Sequence, residues 1–185
     1  MAHNINFNEQ TQQHSFFSVK EKAWHGLGQI VQDYPNSKEA LQFAGLDFEV
    51  CKRPNIHKLD DGTEIISKNS FYTYRPDCCA ILGDRLGKDY EVVQNIDAFS
   101  FFDAIVGGDG IQYETAGALG KGEKIFITAK LPGYIKVGND DMIEKYLFLT
   151  TSHDGYGSIM AAFTPVRIVC NNTLNAALRN HTNSI

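Results

Sequence analysis

"IQYETAGALGKGEKIFITAKLPG", residues 111 to 133, decides the fold class. Two strand-like runs flank Gly120-Lys121-Gly122, and a short glycine-bounded link between such runs predicts a hairpin. Downstream, "KYLFLTTS" (145–152), "SIMAAFT" (158–164) and "VRIVC" (166–170) read as three more strands. Upstream, "IDAFSFFDAIVGG" (96–108) sets Ile96, Phe99, Phe102 and Val106 at helical spacing and ends in Gly107-Gly108, so a helix with those four residues on its inner face is expected.

Working further outward, Asn36 and Glu39 stand at capping-box spacing ahead of Leu41 and Ala44, and Gly45 ends that short helix. "DFEVCK" then alternates like a strand, and "IHKLDDGTEII" reads as a hairpin turned at Asp61-Gly62. "SFYTYRP" and "CCAILG" follow as short strands, with Pro76 breaking the ladder between them. Asn171 or Asn172 is suited to cap a last helix, "TLNAALRN". The order helix, strands, helix, strands, helix predicts an α+β fold: a mostly antiparallel sheet with two or three helices packed on one face.

At 185 residues with 43% hydrophobic positions the chain has material for one buried core, so a single domain over residues 16–185 is expected. Residues 1–15, polar and without a period, read as a flexible arm. The net charge of −5 argues against whole-surface attraction to nucleic acid or anionic lipid, so any such site must be local. No leader or membrane-length apolar run is readable, and Cys51, Cys78, Cys79 and Cys170 are too irregular for a disulfide framework. A cytoplasmic protein with free thiols is expected.

Three groups of residues invite chemistry. In "TTSHDGYGS" (150–158), His153 and Asp154 form either a catalytic pair or the corner of an Asp-Gly turn; the turn is preferred, because neighbours in a strand point to opposite sides. In "AWHGLG" (23–28), His25 sits between Trp24 and two glycines, and a buried Trp anchor on a tight backbone is preferred to catalysis. The third group is aromatic and basic: Tyr72 and Tyr74 alternate onto one face, Arg75 follows, Lys121 and Lys124 flank the glycine turn, and Arg167 opens the last strand. Vicinal Cys78-Cys79 in a strand would face opposite ways, and no metal-ligand spacing is present. Neither a metal nor a cofactor is expected.

Taken together, "AWHGLG", "YEVVQN", "AGALGKGEKIFITAKL", "TTSHDGYGS" and "PVRIVCNNTLNAAL" resemble the bacterial phage/plasmid-like family catalogued as a domain of unknown function, number 932. The resemblance runs from Trp24 to about Thr182 and includes His25, Gln94, Asn95, Gly117, Gly122, His153, Asp154, Arg167, Cys170 and Thr173 as pattern positions without an assigned role. It implies a mobile-element setting, and since family members continue beyond the "NTL" helix, a C-terminal helical region is expected to be missing. The expected activity is nucleic-acid handling, single-strand binding or annealing by a homo-oligomer, with no membrane partner. The alternatives are a hydrolase using a His25/His153/Asp154 cleft and an element-encoded protein-interaction module.

Overall fold

The computed structural model describes residues 3–107, 112–137 and 141–179. In chain order the elements are β1 (Phe7–Asn8), β2 (Gln13–His14), β3 (Phe16–Val19), β4 (Gln29–Val31), α1 (Ser37–Phe43), β5 (Cys51–Lys58), β6 (Glu64–Arg75) and β7 (Ala80–Leu86). They continue as α2 (Asn95–Val106), β8 (Gln112–Leu119), β9 (Lys124–Val137), β10 (Asp141–Ser152), β11 (Met160–Thr164) and α3 (Asn171–Arg179). The protein is α+β.

The hairpin that decides the class forms as expected. Gly120 and Gly122 hold φ of 64° and 107°, a region that L side chains enter only with strain, and the Gly122 N–H donates to the Leu119 carbonyl at 3.0 Å. β9 then returns on β10 from Lys124 opposite Ser152, and a six-stranded sheet results in the order β11-β10-β9-β8-β3-β4. Only β3 and β4 run parallel within it.

Alternation along these strands sorts their side chains onto two faces. Phe17, Ile125, Ile127, Leu147 and Leu149 pack against Ala40 and Leu41 of α1 and Phe99 and Phe102 of α2. Phe16, Phe126 and Phe148 point the other way, onto Ile168, Cys170, Leu174 and Ala177. Two helices therefore share one face, and α3 covers the other. Burial of each such phenylalanine contributes about 1.5–3 kcal/mol, and the α1/α2 face carries the larger of the two apolar layers.

The capping box of α1 is present: the Asn36 side chain accepts from the Glu39 N–H, and the Glu39 carboxylate accepts from the Asn36 N–H, each at 3.0 Å. At α3 the cap differs from expectation. Asn171 is already the first helical residue, and the Thr173 hydroxyl accepts from the N–H groups of Val169 and Cys170 at 2.9 and 3.0 Å. "VRIVC" is not a strand either. It crosses the sheet face as irregular backbone, and its carbonyls are satisfied by side chains, Thr115 Oγ1 donating to Ile168 and His25 Nε2 to Val169.

The second sheet, β5-β6-β7, is antiparallel, with its first turn at Asp61-Gly62 as expected. Of "DFEVCK", only Cys51 and Lys52 enter β5; Val50 lies in the core, and the Gln94 side chain meets both its N–H and its carbonyl. In α2 three of the four expected residues, Phe99, Phe102 and Val106, are buried, and Ile96 alone departs. Asn95, Ala98, Phe99, Phe102 and Val106 are inside and Ile96 is 61% exposed, because Asn95 is drawn inward by the groups it bonds. Gly107 follows that helix, and Gly108 lies outside the described residues, as does Asn180 of "TLNAALRN".

Residues 3–15, expected as an arm, are hydrogen-bonded to the body. The Asn6 N–H donates to the Ala118 carbonyl and the Gly120 N–H to the Asn4 carbonyl, Ile5 is buried, and β1 pairs with β2. Trp24, expected as a buried anchor, is 64% exposed, while its neighbour Ala23 is buried. The backbone polar groups of a strand edge explain the first difference, since they take any chain that offers matching donors and acceptors.

The two sheets meet where Gly83 of β7 crosses the His153-Asp154 corner: a Cβ on Gly83 would lie 2.8 Å from the Asp154 Cα and carbonyl oxygen. Gly83→Ala is expected to destabilise the fold by about 1–3 kcal/mol in urea unfolding. Gly87→Ala, where a Cβ meets nothing within 4 Å, is expected to leave the midpoint unchanged; equal effects at both positions would refute the close crossing.

Candidate nucleic-acid interface

β6 carries two kinds of residue on its two faces. Thr73 and Arg75 are buried against the body, and Tyr72 and Tyr74 are half-buried on the outward side. Cross-strand pairing places Arg53 opposite Tyr72, and Cys51 and Ile81 on either side of Tyr74. The tyrosine rings are 5.7 Å apart and tilted by 41°, and Arg53 is exposed, its Nη1 donating to the Lys52 carbonyl at 2.9 Å. The outward face is thus an aromatic pair with a guanidinium beside it. Arg53 was not singled out from the sequence, because only the register of the β5–β6 hairpin brings it to Tyr72.

The neighbouring lysine is used differently. Lys52 points inward, its Nζ donating to the carbonyls of Lys88 and Tyr90 at 2.7 and 2.6 Å and lying 4.4 Å from the Phe71 ring centre. It holds β5 to the loop before α2.

Arg75 is 2% exposed and faces away from the tyrosines. Its Nε and Nη2 donate to the two carboxylate oxygens of Asp77 at 3.1 and 2.7 Å, and its Nη1 donates to the Lys121 carbonyl at 3.0 Å. Its guanidinium carbon lies 3.7 Å from the Phe48 ring centre. That fork holds the Asp77 carboxyl below the usual carboxylate range. Lys121 is exposed on the glycine turn beside it, and Lys124 is half-buried at the start of β9. Arg167 lies on the α3 face of the large sheet, paired at 2.7 Å with Glu114 and donating to the Ser18 hydroxyl and the Val19 carbonyl. Burial raises the Glu114 carboxyl, with Arg167 opposing the rise. Of the six basic and aromatic candidates, Tyr72 and Tyr74 share the outward face of β6, and Arg75 and Lys121 adjoin one cleft on the other side.

His153 is fully buried where three elements converge. Its N–H donates to the Glu123 carbonyl at 2.7 Å, and its carbonyl accepts from Thr73 Oγ1 at 2.6 Å. Its Nε2 lies 2.8 Å from Asn95 Oδ1, while Asn95 Nδ2 donates to the Leu46 carbonyl. Because the amide nitrogen is committed, the Asn95 oxygen must accept, so the imidazole carries its proton on Nε2. Asp154 accepts from the Ser152 hydroxyl and, at 2.8 Å, from the Tyr156 N–H, and Gly155 holds φ of 81°. This is an Asx-type turn at the end of β10.

His25 is bound on the opposite face. Its Nε2 meets the Val169 carbonyl at 2.9 Å, its Nδ1 accepts from the Leu27 N–H at 3.0 Å, and its ring packs on Phe16. The six-stranded sheet separates it from His153, which packs on Phe48 of the α1/α2 side. The His25/His153/Asp154 cleft is therefore not assembled. A cleft of about 540 Å³ lies elsewhere, between the β1–β2 segment, Arg75, Cys78 and Lys121. No helix among the described residues is long and apolar enough to cross a membrane.

The fold defines an α+β protein whose two larger sheets are joined at a buried histidine corner. The family model described as Domain of unknown function (DUF932) matches residues 84–185, more than half of the chain, and the chain belongs to that family. The matched segment begins in β7 and takes in α2, most of the large sheet, the His153 corner and α3, whereas Tyr72 and Tyr74 precede it. No curated protein and no solved structure matches the chain.

Burial lowers the His153 pKa to about 4 from the ordinary 6.5, with Asp154 opposing the shift. The folded state therefore binds this proton less readily than the unfolded chain. Its contribution is complete above pH 6.5 and is lost as pH falls toward 4, by up to about 3 kcal/mol. Urea unfolding across that window should show this decline in the wild type and a shallower one in His153→Met; equal slopes would exclude a buried neutral imidazole.

Proposed function

We propose that this chain is a mobile-element protein that binds single-stranded nucleic acid through the outward face of β5-β6-β7, with Tyr72 and Tyr74 stacking on bases and Arg53 on a phosphate. The observation that carries this reading is the half-buried tyrosine pair on the outward face of β6, its ring centres 5.7 Å apart. Bases stacked in a duplex repeat every ~3.4 Å along a strand, so two neighbouring bases meet both rings only after they unstack. A single strand does this at little cost, and each base–aromatic contact contributes about 1–3 kcal/mol.

Electrostatics support a local site. A chain of net charge −5 repels a polyanion over most of its surface, and Arg53 supplies an exposed cation beside the rings. Arg75 and Arg167, engaged with Asp77 and Glu114, shape the frame in this reading and leave the ligand to Arg53, with Lys121 and Lys124 further along the body. Self-association belongs to the same proposal: β11 is an edge strand of the large sheet and carries Phe163 at 67% exposure, which suits annealing by an oligomer.

Fluorescence anisotropy with labelled single- and double-stranded oligonucleotides over a salt series tests the proposal. Single-strand binding is expected to be the tighter and to weaken with salt. Tyr72→Ala and Tyr74→Ala should each lower affinity about 5- to 150-fold, and Arg53→Ala should reduce the salt slope by about one phosphate contact. Absence of binding at low salt, or affinity untouched by both tyrosine changes, would sink it.

A further inference from the structure

Between β6 and β7 the chain turns at residues 76 to 79, closed by the pairing of Arg75 with Ala80, so Cys78 and Cys79 lie in a turn and not in a strand. Both are exposed free thiols, while Cys170 is buried. Cys79 sits at φ of 57°, a left-handed conformation that a cysteine adopts only where the surrounding turn imposes it. Cys78 lines the 540 Å³ cleft together with Asn6, Gln10, Arg75 and Lys121. Glu9 is the acidic residue of that lining and Lys121 its exposed cation; the buried Arg75 is paired with Asp77, whose carboxylate also meets Cys78.

We propose that Cys78-Cys79 is a thiol-modification site that exchanges with an anionic low-molecular-weight disulfide of the glutathione type, held in the cleft beside Lys121. The Cys78 thiolate attacks one sulfur of that disulfide; its S–S bond breaks, one thiol leaves, and a mixed disulfide remains on Cys78. The Cys79 thiolate then attacks the Cys78 sulfur, forming the Cys78–Cys79 bond and expelling the second thiol. The protein pair gives up two electrons and two protons, and the small disulfide takes them up as two thiols. Three features converge on this step: adjacency supplies the resolving thiol, exposure admits the reagent, and the cleft gives Cys78 a binding site that Cys51, on the outward face of β5, lacks.

The test is intact-mass analysis and peptide mapping after incubation with oxidised glutathione, with hydroxyethyl disulfide as the uncharged comparison. The wild type is expected to end with a closed Cys78–Cys79 pair and no adduct, and Cys79→Ser to stop at one glutathione on Cys78. Cys78→Ser should prevent closure, and Lys121→Glu should slow glutathione disulfide several-fold while leaving hydroxyethyl disulfide unchanged. Circular dichroism of each variant checks that the fold is kept. Modification of Cys51 as fast as Cys78, no reaction at the pair in the folded protein, or equal slowing of both reagents by Lys121→Glu would overturn the proposal.

Discussion

His153 is bonded to three parts of the molecule at once, and the relation between the two sheets depends on it. Its backbone donates to Glu123 in the turn before β9 and accepts from β6, while its ring reaches Asn95 at the head of α2. Asn95 in turn donates to the Leu46 carbonyl, which belongs to the loop leaving α1. The His153 backbone groups and Nε2 are met by elements already fixed for other reasons, and its Nδ1 is buried without a partner among the described residues. The neighbouring Asp154 then turns the chain, and Gly83 lets β7 lie directly over that turn. The His153 backbone and the Asp154 turn act as a joint between sheets, and the imidazole ties that joint to α2.

Arg75 sets the other end of the same seam. A guanidinium withdrawn from water is costly unless its donors are met, and here Asp77, the Lys121 carbonyl and the Phe48 ring surround it. The β6–β7 turn is thereby tied to the glycine turn of the large sheet. Its inward anchoring leaves the alternate residues, Tyr72 and Tyr74, facing out. One strand therefore serves both the frame and the candidate surface, and the cleft containing Cys78 opens where the two turns meet.

The local features were legible in the residues. The capping box at Asn36, the Asp61-Gly62 hairpin, the Gly120-Lys121-Gly122 turn and the Asp154-Gly155 corner each depend on conformational preferences within a few residues. Features with partners far along the chain were not. "VRIVC" has the composition of a strand, yet its carbonyls bond Thr115 and His25, so it lies across the sheet. Ile96 keeps helical spacing with Phe99 but yields the inner face to Asn95, whose partners are His153 and Leu46. The candidate surface divided in the same way: alternation announced Tyr72 and Tyr74 as a pair, and only register supplied Arg53 and turned Arg75 inward.

By itself the sequence determined the α+β class, the order of most elements, the turns and the family, because glycine placement, capping residues and hydrophobic period act over short range. The tertiary structure alone decided which face each element covers, that His25 and His153 lie on opposite sides of one sheet, and that Arg75 is an internal anchor. Those outcomes rest on hydrogen bonds and packing between residues far apart in the chain, which no local pattern encodes.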